Sequence, residues 1–375
     1  MSTGSRDNHP HLTTPSLANA NAGAIVIVGG SGFLGSNLAH SFLREGEEVV
    51  VIDNLSRKGV EHNLAWLRSH HGEAVQPLIA DIRDFDAIQP ALREAKAVFH
   101  FAAQTAVTTS LEHPLEDFET NARGTLNVLE AVRGAGRCAP VIFASTNKVY
   151  GVLRDIGLED DFGGRHMPVD PKLRERGIDE TRPLDLHTPY GCSKGVADQY
   201  VLDYARSFAL KTAVLRMSCI YGPRQCGTED QGWVAHFLNC AMAGKKICIY
   251  GDGKQVRDVL HVEDAIAAYK KLLGDIDVLS GRAFNLGGGP ANAVSIAEII
   301  AEIERLPGCK LTTTNADWRA GDQLYFVADT TALAKATGWT PQIGWRQGLR
   351  DLHAWLLQEG PAKEERHVQP RSISA

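Results

Sequence analysis

The sequence predicts an α/β fold built on a doubly wound parallel sheet, and three observations carry that prediction. Short apolar runs alternate with helical patterns from residue 24 to residue 216. The first run leads into a glycine-rich turn that opens a helix, and the second run ends on an acidic residue. Strict alternation of this kind places parallel strands in one layer between two layers of helices.

The first strand is Ala24-Ile25-Val26-Ile27-Val28, a continuous apolar run of the sort buried on both faces. Gly29-Gly30-Ser31-Gly32-Phe33-Leu34-Gly35 follows, and helical spacing resumes through Asn37-Leu38-Ala39 and Phe42-Leu43. Glycines at 29, 32 and 35 allow a tight turn, close approach of the backbone to a pyrophosphate and close packing of helix on strand. The helix start supplies N–H donors for the anion, and Phe33 and Leu34 share the turn as candidate cofactor contacts. The second strand, residues 48–52, delivers Asp53 at about the expected 20-residue separation. A carboxylate there binds both adenosine ribose hydroxyls and repels a 2′-phosphate, which favours NAD over NADP. Arg57 and Lys58 lie close by, and a basic residue can offset that repulsion. The pattern is Rossmann-type. Further strands are expected at 75–80, 97–102, 141–145 and 212–216.

Beyond residue 216 the pattern becomes irregular, with turns at Gly222-Pro223, Gly251-Asp252-Gly253 and Gly287-Gly288-Gly289-Pro290. Residues 24–215 therefore read as the NAD-binding domain. Residues 216–358 read mainly as a smaller C-terminal substrate-binding domain interleaved with it. Residues 1–23 read as a flexible N-terminal tail and 359–375 as a polar C-terminal tail.

The run His187-Thr188-Pro189-Tyr190-Gly191-Cys192-Ser193-Lys194 carries the candidate chemistry. Thr188 suits an N-cap and Pro189 the first helical position. Val196, Tyr200, Val201, Tyr204 and Phe208 then recur at helical spacing, predicting one amphipathic helix. Residues i and i+4 share a face, so Tyr190 and Lys194 can point into one site. A nearby ammonium favours phenolate, and a phenolate can take a proton from a sugar hydroxyl as hydride leaves the carbon.

Composition narrows the class. The 375-residue chain carries a formal net charge of −6 with both signs scattered, and no basic stripe suggests nucleic acid. No apolar run reaches membrane-spanning length. Seven cysteines at 138, 192, 219, 226, 240, 248 and 309 show neither Cys-x-x-Cys nor zinc-like spacing, so no metal is expected and a reducing cytoplasm fits. His70-His71 reads as solvated loop.

From about residue 24 to residue 357 the chain resembles the extended short-chain dehydrogenase/reductase family of nucleotide-sugar epimerases and dehydratases. The landmarks are Gly29-x-x-Gly32-x-x-Gly35, Asp53-Asn54, Asp81-Ile82, His100-Phe101-Ala102-Ala103-Gln104 and Asn121-x-x-Gly124-Thr125. They continue with Thr146-Asn147-Lys148-Val149-Tyr150-Gly151, Tyr190-x-x-x-Lys194, Tyr221-Gly222-Pro223-Arg224, Gly253-x-x-x-Arg257-Asp258 and Phe284-Asn285-Leu286-Gly287. One departure is Val28, where the family usually has Thr.

The resemblance implies roles for single residues. Asn54 joins Asp53 at the ribose, and Asp81 and Ile82 border the adenine. Ala102, Ala103 and Gln104 line the path to the nicotinamide, with Asn121 among the cofactor contacts. Thr146 holds the reacting sugar oxygen beside Tyr190, while Arg257 and Arg319 are candidates for the diphosphate. His187, Arg224, Gln231 and Trp233 are candidates for the sugar-nucleotide pocket. Lys148 also lies near the site, with substrate contact and loop capping both open.

Dehydratases of the family carry Asp-Glu directly after that Thr, because removing water needs an acid and a base. Here Asn147 and Lys148 stand there, which leaves epimerisation or plain oxidoreduction. That pair, together with Asp230-Gln231-Gly232-Trp233, resembles the members that invert C2 of a CDP-hexose through a 2-keto sugar. A UDP-sugar 4-epimerase is the alternative within enzymes, and a non-catalytic NAD-binding sensor or scaffold the alternative outside them. The family also implies a homodimer or higher homo-oligomer through the Tyr190 helix and the helix near residues 125–132.

Overall fold

The computed structural model describes residues 23–136, 139–161 and 163–359. The expected tails, apart from Gly23 and Glu359, and Cys138 lie outside the described residues. Its centre is a seven-stranded sheet containing β1 (Ala24–Val28), β2 (Val49–Asp53), β3 (Val75–Ile79), β4 (Ala95–His100) and β5 (Val141–Thr146). Strands Thr212–Met217 and Arg282–Leu286 complete it. The spatial order is Arg282–Leu286, Thr212–Met217, β5, β4, β1, β2, β3, and every neighbouring pair is parallel. The winding direction reverses beside β1, so a crevice opens beyond the carboxyl ends of β1 and β4.

Both faces of the sheet are covered, which is why its strands are continuously apolar instead of alternating. Ile25, Ile27, Val49, Val51 and Phe99 pack on one side with α1 (Phe33–Arg44) and α2 (Val60–His71). Val26, Val28, Val50, Ile52 and Phe143 pack on the other with the long helix Thr188–Phe208.

A smaller lobe is built on strand Val256–His261, which pairs with Cys219–Tyr221, Ala293–Ser295 and Tyr325–Phe326. Its own core gathers Phe237, Val259, Ile303, Trp345 and Leu349. The chain then returns to the large lobe. Helix Val262–Gly274 contributes Ala265, Ala268, Tyr269 and Leu272 to the core of the large sheet. Strand Arg282–Leu286 becomes the edge of that sheet. The apolar-run criterion passes over this strand because exposed Arg282 opens it and polar Asn285 interrupts it. Asn285 is nevertheless buried, accepting from the Tyr150 hydroxyl at 2.7 Å and donating to the Ile178 carbonyl at 2.8 Å.

Three local expectations are corrected. His70 and His71 end helix α2 and are not loop; a ring nitrogen of His71 meets one of His40 at 2.8 Å. The helix carrying Tyr190 runs Thr188–Phe208, so Thr188 is its first residue and His187 precedes it. The Thr188 hydroxyl still accepts the N–H of Gly191, 3.3 Å away, with a backbone φ of 66° that is rare for a β-branched residue. Lastly, the apolar stripe of this helix is split. Val201 and Tyr204 face inward with Gly195, Ala197 and Asp198, whereas Tyr200 and Phe208 are 44% and 48% exposed. Small residues on the inner face let the helix lie close to β5 and Thr212–Met217. Among the described residues, no helix is long and apolar enough to cross a membrane.

Candidate active site

A first cleft lies at the carboxyl ends of β1, β2 and β4. It is lined by Gly29, Gly32, Phe33, Leu34, Gly35, Asp53, Asn54, Asp81, Ile82, Ala102 and Ala103, and it reaches Tyr190 and Lys194. Its floor has no room for side chains at two glycines. A Cβ on Gly29, which has φ of +81°, would stand 2.5 Å from the Ala102 nitrogen. One on Gly35 would stand 2.2 Å from the Gly29 carbonyl oxygen. Asp53 is fixed by the N–H groups of Ser31 at 3.0 Å and Leu55 at 2.9 Å, although burial pushes its carboxyl up. Asp81 accepts from the Arg83 guanidinium and from Asn54 at 2.8 Å, and the Arg83 contact foremost pulls it down to about 2. Arg57, whose charge bears on the choice between NAD and NADP, lines this cleft too and is held by neutral partners. It donates to Thr105 Oγ1 at 3.1 Å and Gln231 Oε1 at 2.7 Å.

A second cleft opens toward the smaller lobe. Thr146, Asn147 and Lys148 from the end of β5 line it with Gln231, Trp233, Tyr250, Arg257, Arg319 and Asp322. The two clefts share Thr105, Ser145, Tyr190, Met217, Ser218, Ile220 and Gln231, so Tyr190 stands where they meet. Burial pushes its phenol up to about 12, with the Thr146 hydroxyl opposing that rise. Lys194 does not hydrogen-bond the phenol. Its ammonium donates to the Ala144 carbonyl at 2.7 Å and sits 4.0 Å from the centre of the Phe143 ring. Burial lowers it to about 7, partly offset by Asp198 and Asp117. In the chain by itself burial thus disfavours the charged form of both groups.

In the second cleft Arg257 is buried, donating to Asp322 Oδ1 at 2.7 Å and to the Gln323 carbonyl at 2.6 Å. Arg319 donates to the Glu229 carbonyl at 3.1 Å and lies 3.9 Å over the Tyr250 ring. Trp233 Nε1 points at the Cys219 sulfur, 3.4 Å away.

Residues 25–287 match the NAD dependent epimerase/dehydratase family. This chain belongs to that family. It is 43% identical over 339 residues to CDP-paratose 2-epimerase of Salmonella typhi, covering 88% of this chain and 98% of the relative. It is 30% identical over 354 residues to UDP-glucose 4-epimerase of Erwinia amylovora, covering 89% of this chain and 98% of the relative. Among solved structures it resembles the NAD complex of Thermus thermophilus UDP-glucose 4-epimerase. That likeness has a TM-score of 0.73 and 31% identity, over 89% of this chain and 99% of the other.

The chain is thus an NAD-dependent enzyme of the epimerase/dehydratase family, and the first cleft fits the cofactor. Its glycine floor admits a closely packed pyrophosphate, and Asp53 faces the same cleft. Gly35→Ala should cost about 1–3 kcal/mol through the backbone clash and strip the purified enzyme of bound NAD. Cofactor released on denaturation measures this, and full occupancy in the variant would refute the cradle.

Several sequence candidates lie away from the positions expected of them. His187 is exposed and lines neither, because the extended residue before the helix turns outward. Arg224 lines the first cleft and not the second, its guanidinium donating to Asn37 of α1 and lying 4.3 Å over Trp66. Gln104 and Asn121 sit behind the first cleft. The Gln104 side chain donates to the Ala106 carbonyl at 2.7 Å, and Asn121 Oδ1 accepts the Gln104 N–H at 2.9 Å. Tyr250, Met217, Ser218 and Asp322 are site residues that sequence reading passed over; Asp322 lies in a loop with no motif around it.

Proposed function

We propose that this enzyme inverts C2 of a CDP-hexose, of the CDP-paratose to CDP-tyvelose type, with NAD held throughout the cycle. The observation that carries the proposal is Tyr190 at the junction of the two clefts, with Asn147 and Lys148 where a dehydratase needs an acid pair. The 43% identity to a CDP-paratose 2-epimerase supports the choice of carbon and nucleotide.

In this reading Gly29, Gly32, Gly35, Asp53 and Asn54 hold NAD with Asp81, Ile82, Ala102 and Ala103, and the lobe beyond residue 216 mainly holds the nucleotide sugar. NAD, when bound, takes up the hydride released at the sugar carbon and later returns it, so no net redox change remains. Tyr190 removes the hydroxyl proton, held to the reacting oxygen with Thr146, and gives it back after the keto sugar has turned its other face. Lys194 fixes the floor beneath Tyr190 through Ala144. Arg257 and Arg319 offer guanidinium forks for the diphosphate once their carboxylate and carbonyl partners yield. Trp233 supplies an apolar wall.

The test is purified enzyme with CDP-paratose, CDP-glucose and UDP-glucose, each deuterated at the sugar and without added cofactor, read by NMR. Inversion at C2 with deuterium retained is expected. Inversion at C4 of UDP-glucose would transfer the chain to the 4-epimerases, a reading favoured by its 30% identity to one. NAD bound without turnover of any sugar would leave a sensor.

We place this activity in the cytoplasm and in a homodimer. Leu111, Leu115 and Phe118 lie on short helices packed against the long helix, and they are 47%, 80% and 50% exposed. With Tyr200 and Phe208 they leave an apolar face of the sort that a second copy covers. Light scattering should give twice the chain mass, falling to monomer in Leu115→Glu; a monomeric wild-type enzyme would sink this assignment.

A further inference from the structure

We infer that Lys148 is a direct contact of the reacting sugar, a hydrogen-bond donor that retains the keto sugar while it turns between the two half-reactions. The inference rests on the nucleotide-sugar reading of the second cleft.

Lys148 stands two residues after Thr146, in the short helical turn Asn147–Tyr150, and its own N–H donates to Thr146 Oγ1 at 3.2 Å. Its side chain lines the same cleft as Thr146 and Tyr190. The ammonium donates to the Gly321 carbonyl at 3.1 Å. Asp322 Oδ1 is farther, at 3.7 Å, because that oxygen is drawn to Arg257 at 2.7 Å. An ammonium has three donors, and Gly321 satisfies one. Lys148 and Arg257 together face the one carboxylate of Asp322, and Glu229 and Asp230 of the same cleft are paired with Arg319. Burial lowers the ammonium to about 8, so it remains mostly charged at neutral pH.

An ammonium holds no lone pair. It cannot pull a proton from carbon as a carboxylate in this loop would, and it can only donate to oxygen. Such a donor in a water-poor cleft stabilises an oxygen that gains negative charge. A keto sugar that shows its opposite face must let go of Tyr190 and Thr146 on the way. A donor on the neighbouring wall keeps it from leaving in that interval. Lys194 is not placed for this task, since it lines the first cleft and not the second.

The test compares holoenzyme carrying Lys148→Met or Lys148→Arg with wild type, using CDP-paratose. In the Met variant kcat/KM should fall about 10- to 100-fold. Reduced nicotinamide should build up on the enzyme, seen by its near-ultraviolet absorbance, as keto sugar escapes into the filtrate. The Arg variant, which keeps charge and donors, should fall between Met and wild type, and it guards against a folding failure of Met. Unchanged turnover in Met would overturn the inference. So would equal losses in Met and Arg with no reduced cofactor, the mark of a loop-capping role. Wild-type regiochemistry judges the C2 reading separately. If the wild-type enzyme prefers UDP-glucose, the same comparison on that sugar still decides Lys148.

Discussion

Replacing Tyr190 by Phe should lower kcat by about 10²–10⁴-fold while the enzyme stays folded and keeps its NAD. The ring is 8% exposed and packed at the head of the long helix, and Phe preserves that packing. Only the oxygen at the junction of the clefts is lost. The pH profile gives the sharper check. A base must be deprotonated to act, so kcat/KM should rise with pH through the Tyr190 titration, and this ascending limb should vanish in the Phe variant. In the chain alone burial pushes the phenol up to about 12 and Lys194 down to about 7. Phenolate beside ammonium is then a minority state, which the positive charge of an oxidised nicotinamide in the first cleft would favour. Near-normal turnover in Tyr190→Phe, or an unaltered profile, would remove Tyr190 from the chemistry.

Much of this architecture is legible in the sequence because local rules fix it. A parallel strand buried on both faces must be apolar throughout, so β1, β2 and β5 announce themselves. The glycine turn is equally readable, since a Cβ on Gly29 or Gly35 collides with backbone that no side chain can move. Tyr190 and Lys194 share a face by helical spacing alone. What spacing cannot give is the third partner. Lys194 turns to Ala144, a carbonyl 50 residues away along the chain, in preference to the phenol four residues back. Arg224 lies in a segment whose path is set by Asn37 and Trp66 of distant helices, which carries it to the first cleft. His187 sits beside Tyr190 in sequence yet faces outward, because the chain is extended before the helix begins. The split stripe of the long helix has the same origin: which rings are covered depends on where the sheet lies, and on an apolar face left open in the single chain.

Asp198→Asn should destabilise the enzyme by about 3–5 kcal/mol, the cost of leaving a buried guanidinium without its carboxylate. Asp198 is fully buried and lies one helical turn beyond Lys194. Arg216 grips it through two bonds of 3.0 Å, and Ser145 Oγ donates to it at 2.7 Å. From Arg216 the network continues to the Tyr150 hydroxyl at 3.2 Å and on to Asn285. One cluster thus ties together the long helix, the end of β5 beside Thr146, strand Thr212–Met217 and edge strand Arg282–Leu286. The denaturation midpoint measures the loss. Asp198→Leu combined with Arg216→Met should recover much of it, since removing both charges leaves neither unpaired. The chemistry carries a separate signature. Asp198 helps to hold the Lys194 ammonium charged, so its removal lowers that group further below about 7. The cation then survives only at more acidic pH, and the descending limb of the rate profile should move to lower pH in Asp198→Asn. A variant as stable as wild type would show that the cluster does not brace the fold, and one whose descending limb stays in place that it does not set the charge beneath Tyr190.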